Sequence, residues 1–244
     1  MTRRIATGCL VLLMIPAAVV VYFWYTVWHA GHVNDERRRD AVASILRHAR
    51  EVEGDTRRAL DRSGSAAGVD ALTGVIWRHS EAPLIAYDPA HRTFTATVSE
   101  AAFYDQEAVL LGGGPSQVTR CLHLTFAHGT GSAWTSAVAV RDEEGCRASR
   151  SIGSWASLAQ DRIGNMYARD LTLAGVRRAL DPTGRLGYYD VRTATREGRH
   201  STITVLIRDA RLTDTAAQCY RFVRKLDSGS VTALPLTACP AAHR

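Results

Sequence analysis

The chain is 244 residues long, 46% hydrophobic and 22% charged, with a formal net charge of +6. That length leaves room beyond an N-terminal segment for one large or two small domains with their own cores. The positive excess is spread along the chain, so no nucleic-acid partner is expected; Lys225 is the only lysine, and the use of arginine elsewhere in an alanine-rich sequence reads as high-GC bacterial codon bias.

Residues 5–28 carry no charged side chain. As a helix they would span roughly 36 Å, against a hydrocarbon core of ~30 Å, so a tilted transmembrane anchor is expected. Tyr22, Phe23, Trp24, Tyr25 and Trp28 gather near its end, as amphipathic rings do at headgroup level, and Pro16 is tolerated as a mild kink. Arg3 and Arg4 would also suit a cleaved secretory signal, but the apolar run exceeds the ~7–15 residues of a signal core and no small-x-small site follows. Residues 1–4 are then a short cytoplasmic tail. Arg37, Arg38 and Arg39 beyond the anchor outnumber Arg3 and Arg4, so flanking charge does not orient it.

Four cysteines fall outside the anchor: Cys121, Cys146, Cys219 and Cys239. Three pairings are formally open. Gly229-Ser230 lies midway between Cys219 and Cys239 and residues 129–132 separate Cys121 from Cys146, so two stapled hairpins with opposed sulfurs are expected. A four-cysteine metal site would want close C-x-x-C pairs, which the sequence lacks, so no metal is expected. Disulfides persist in oxidising compartments, which places the C-terminal part outside the cytoplasm.

In chain order, Asn34 is expected to cap a polar helix reaching about Arg62, with Ala41, Ile45, Ala49, Val52 and Leu60 as its apolar stripe. Strands are expected over 74–79, 84–87 and 93–98, with a turn at Asp88-Pro89. Residues 100–111 suit a short helix slightly better than a strand, Gly112 to Pro115 read as a turn, and 147–154 as a linker. Ser157 to Gln160 resembles a capping box opening a helix that carries Ile163, Met166, Tyr167, Leu171 and Ala174 on one face. Strands follow near 186–193, 201–208, 219–224 and 231–239.

This order, with Arg57-Arg58-Ala59-Leu60-Asp61 recurring as Arg177-Arg178-Ala179-Leu180-Asp181, suggests two tandem α+β lobes, residues 29–150 and 151–244, each combining helix with antiparallel sheet and a stapled hairpin.

No Walker loop, dinucleotide fingerprint, zincin or nucleophile-elbow motif occurs, and no cofactor is expected. A Ser/His/Asp arrangement can be drawn from Ser132 or Ser136, His123 or His128, and Asp142, Glu143 or Glu144, but spacing does not establish a triad. His123 reads first as a residue on the more polar face of its strand, and His29 and His32 beside Trp28 as interfacial rather than metal-binding. Trp77, Trp134 and Trp155 read as core. The functional expectation is a cell-envelope binding protein held in the bilayer through 5–28, N-terminus inside, whose partner is an envelope protein or cell-wall component. The alternatives are an envelope hydrolase built around His123 and an inverted topology with a cytoplasmic basic domain.

Overall fold

The computed structural model describes residues 2–64, 67–109, 112–129, 133–185, 187–209 and 216–241, with the side chains of 2–13 and of Val109 outside that description. It is a mixed fold of helices and two antiparallel sheets with two disulfides. Helix α1 runs Thr2–Ser63 and α2 Val69–Ser80; strands β1 (Leu84–Asp88), β2 (Thr93–Val109), β3 (Gly112–His128) and β4 (Trp134–Arg141) follow. Helices α3 (Arg147–Gly164) and α4 (Leu173–Leu180) then precede β5 (Tyr189–Glu197), β6 (His200–Arg208), β7 (Ala217–Lys225) and β8 (Val231–Leu236). Each set of four strands forms its own sheet, in the orders β1-β2-β3-β4 and β5-β6-β7-β8.

Among the described residues, no helix is long and apolar enough to cross a membrane. Side-chain description of α1 begins at Met14, and from there to Trp28 every residue except half-buried Thr26 is exposed.

The chain divides into two compact units. One comprises Met1–Leu46 with Ala101–Thr119. Within it α1 buries Ala30, Ala41 and Ile45. Asn34, expected to cap a helix, instead lies inside α1 and reads strand backbone with both ends of its carboxamide: Nδ2 donates to the Glu107 carbonyl at 3.2 Å, and the Glu107 N–H donates to Oδ1 at 2.7 Å. Arg37 adds a bond to the Asp105 carbonyl at 2.9 Å. Residues 101–109 are therefore strand rather than the favoured helix; pairing with neighbouring backbone and Asn34 overrides their Ala/Glu-rich helical propensity. Gly112 to Pro115, expected as a turn, opens β3, and a Cβ on Gly113 would stand 2.9 Å from the Ala108 backbone nitrogen.

The second unit comprises Arg47–Glu100 with Arg120–Arg244. Its part of α1 buries Ala49, Thr56 and Leu60. The expected strand at 74–79 is the second half of α2: Leu72, Val75 and Ile76 share a buried helical face, and packing outweighs their β-branched character. The expected linker at 147–154 is the first half of α3, so the Ser157 capping box falls mid-helix, and the helix ends at Gly164 rather than running on to Ala174. Ile152, Ala156, Ala159 and Ile163 form its buried stripe. A Cβ on Gly153 would meet the Pro83 ring at 2.9 Å, so the residue that looked like a linker glycine permits a close helix approach.

The main core of this unit lies between α3, α4 and the second sheet, where Ile163, Val176, Leu180, Ile203, Val205, Ile207 and Phe222 are fully buried. Each such side chain contributes about 1.5–3 kcal/mol by leaving water. Gln218, 3% exposed, joins β1 to this sheet: its Oε1 accepts from the Ile85 N–H at 2.9 Å while Nε2 donates to the Leu236 carbonyl at 2.6 Å.

The disulfides are Cys121–Cys146 and Cys219–Cys239, both with Cα atoms 5.4 Å apart. Neither is a cross-strand bridge of the expected kind. Cys121 stands opposite Arg141 and Cys219 opposite Leu236 in the ladders, while Cys146 ends a 3-10 helix (Glu143–Cys146) and Cys239 lies beyond β8. Each bridge ties the third strand of its sheet to the segment that leaves the fourth.

Candidate functional site

β3 alternates its side chains between two faces, and this separates His123 from Ser136. Leu122, Leu124, Phe126 and His128 share one face with Ser136, which lies opposite Phe126 and bonds Glu53 of α1. His123 projects from the other face, opposite Ala139 and close to Arg141. Its Nε2 is buried with no hydrogen-bond partner, and burial, reinforced by Arg141, holds the imidazole below its ordinary pKa. His128 packs its ring edge-on to Trp134, centroids 4.9 Å apart, with Nδ1 buried and unbonded.

The carboxylates are committed elsewhere. Asp142 accepts from the Gly145 N–H at 3.0 Å as the cap of the 3-10 helix, and Glu144 pairs with Arg147 at 3.3 Å. Ser132 lies outside the described residues. Among the described residues, then, His123 has neither a hydroxyl nucleophile nor an orienting carboxylate bonded to it.

His29 and His32 stack on Tyr25 and Trp28, with centroids 5.8 and 6.0 Å apart. Among the described residues no cluster of histidine, cysteine and carboxylate side chains is placed to hold a metal ion. Trp134 is buried, Trp77 is half-buried, and Trp155 stacks on Tyr188 at 4.2 Å.

Two clefts in the second unit carry polar groups, several of them already bonded within the fold. One of about 580 Å³ is lined by Arg177, Arg178, Asp181, Tyr189 and Asp190. Arg177 donates to the Val191 carbonyl at 3.2 Å, and Asp190 is paired with Arg192 at 2.8 Å and Arg208 at 3.7 Å. Tyr189 donates to the Trp155 carbonyl at 3.0 Å, and burial pushes its phenol up to about 12, so it stays protonated at neutral pH. The other, about 290 Å³, lies among Trp77, Glu81, Pro83, Gln160 and Tyr220. Here Gln160 donates to the Val231 carbonyl at 2.9 Å and Tyr220 to the Pro83 carbonyl at 2.6 Å, with burial raising the Tyr220 phenol.

One electrostatic grouping escaped sequence reasoning because its members are far apart along the chain. Glu100 of β2 is held above its ordinary pKa by burial; His48 of α1 opposes that shift and Glu81, just after α2, adds to it. Arg224, on the helix-facing side of β7, also escaped sequence reasoning: the residue is 7% exposed, with Nε and Nη1 buried and unbonded. Nothing in the spacing of either residue marks it. Comparison with protein-family models, curated proteins and solved structures found no match.

Proposed function

We propose that the chain is a single-pass, membrane-anchored protein of the bacterial cell envelope, with its N-terminus in the cytoplasm and its α+β part outside, acting by binding rather than by catalysis. The observation that carries this reading is the exposed aliphatic and aromatic surface of α1. Among the described residues, all the exposed large hydrophobics except Phe103, Val140 and Tyr167 lie between Met14 and Trp28. A helix apolar on every side is a poor surface for water and a good one for lipid, and the uncharged stretch continues back to Ile5 in sequence. The two disulfides support the extracytoplasmic side. The dispersal of His123, Ser136 and Asp142 supports binding over hydrolysis, with an envelope protein or cell-wall component as partner.

Within this reading, residues 29–150 and 151–244 are two related lobes. Helices followed by a four-strand meander, with a bridge from third strand to exit segment, occur in each. The repeated Arg-Arg-Ala-Leu-Asp motif lends no support, because its copies end α1 and α4, the first helix of one set and the second of the other.

Thiol labelling and protease access in intact cells test the topology. The expected result is a carbonate-resistant membrane protein with four unlabelled ectodomain cysteines until reductant is added, and digestion by external protease. Free alkylation of all four without reductant would overturn the placement outside. Affinity capture of the membrane-extracted protein tests the binding role, with a stoichiometric co-purifying component expected.

A further inference from the structure

Each sheet has two edge strands, and an edge strand exposes unpaired N–H and C=O groups that recruit other strands unless something blunts it. Three of the four edges here are blunted. The Ile85 N–H of β1 is taken by Gln218 from the neighbouring sheet. β5 breaks register between Val191 and Thr193 and carries Asp190, Arg192, Arg196 and Glu197. β8 contains Pro235, which has no N–H to offer.

β4 has none of these devices. Its ladder to β3 is unbroken over eight pairs, from Cys121↔Arg141 to His128↔Trp134. Residues 135–140, Thr-Ser-Ala-Val-Ala-Val, contain no charge, proline or glycine. Ala137, Ala139 and Val140 are exposed, the valine at 48%. The edge is closed only at its start, where the Trp134 N–H donates to Asp61 at 2.9 Å rather than to β3. In an antiparallel strand the N–H and C=O of one residue point to the same side and alternate along the chain, so Ser136, Val138 and Val140 share Trp134's outward direction.

We propose that β4 pairs antiparallel with β4 of a second copy of this chain, joining two four-stranded sheets into one of eight. The segment is self-complementary. A two-fold axis normal to the sheet through Val138 places Val138 opposite Val138 of the second copy, Ser136 opposite its Val140, and Ala137 opposite its Ala139. Outward-pointing groups then meet one another, no like charges are opposed, and Arg141 faces Thr135 rather than a second Arg141. A centre at Ala137 would instead require the Trp134 N–H that Asp61 already holds, which disfavours that register. The axis keeps the same face of both sheets on the same side, so the α1-packed faces stay together.

The test uses the full chain in detergent, with its mass measured by light scattering and sedimentation equilibrium. Wild type is expected to be a dimer. The variant Ala137→Lys/Ala139→Lys opposes like charges across the axis, as does Ala137→Glu/Ala139→Glu; each alone is expected to be monomeric, with Kd raised at least tenfold. Mixing the two variants is expected to restore a one-to-one dimer, which also shows that both have folded. A monomeric wild type overturns the proposal. Persistence of the dimer in both charged variants assigns association to another surface and also overturns it, as does failure of the mixture to associate.

Discussion

The two sheets share a topology and differ in how far their strands run. In both, four strands follow in simple meander order and a disulfide ties the third strand to the exit of the fourth. Strands of the second sheet are nine residues or shorter, and α3 and α4 fill one face. In the first, β2 and β3 are 17 residues each, and residues 101–119 belong with Met1–Leu46 rather than with β1 and β4. A shared meander thus leaves strand length open. Each additional backbone group needs a hydrogen-bond partner, and for the long pair the partners include Asn34, which donates and accepts, and Arg37, which donates, both of α1.

The largest effect expected on this comparison is loss of the bridges. Chain-entropy arguments assign about 3 kcal/mol to each, since the closed loops, with sequence separations of 25 and 20, differ little. Urea unfolding of Cys121→Ser/Cys146→Ser and Cys219→Ser/Cys239→Ser should show similar losses; a tenfold smaller loss for one pair would show that the bridges do unequal work. Gln218→Ala comes next. It leaves the Ile85 N–H and the Leu236 carbonyl without their partner, costing about 1–3 kcal/mol. Hydrogen exchange should quicken at β1 and β8 together, and quickening at β8 alone would refute the joint between the sheets.

Asn34→Ala should cost about 1 kcal/mol and act only in the first unit, with faster exchange around Glu107 and none in β5 to β8. The smallest effect is a pH dependence. His123 follows Cys121 by two residues, where the second sheet has Arg221 two after Cys219, a titratable group against a permanent cation. Burial lowers the folded-state pKa of His123 below 6.5, so the unfolded chain takes up a proton first. Its contribution is present above pH 6.5 and is lost as pH falls through the folded-state pKa. Between pH 7.5 and 5 the urea midpoint of wild type should therefore fall further than that of His123→Gln. An equal fall would assign the acid sensitivity to other groups.

Much of the strand content was legible because period-two alternation and turn residues are local. Asp88 caps its turn as expected, accepting from the Ala90 N–H at 2.9 Å, and β6 and β7 lie where alternation put them. The failures fell where packing outweighed local preference. Val75 and Ile76 have β-branched side chains, yet they complete a buried helical face. Residues 101–109 have helix-forming composition, yet they lie in a paired strand. Gly153 looked like a linker residue, but at its position the Pro83 ring leaves no room for a Cβ. The candidate triad was illegible in a similar way, since sequence spacing cannot tell which face of a strand meets a distant carboxylate.

By itself the sequence determined a charge-free stretch over 5–28, four cysteines beyond it separated by turn-rich segments, and a mixture of helical and alternating patterns. All three follow from composition and short-range periodicity. Only the tertiary structure decided that the cysteines close third strands onto exit segments, that Asn34 serves a strand rather than a helix end, and that β4 keeps an undefended edge. Those outcomes depend on which backbone groups meet across long sequence separations, where pairing and desolvation outweigh the few tenths of a kcal/mol by which a residue's local preference differs from the alternatives.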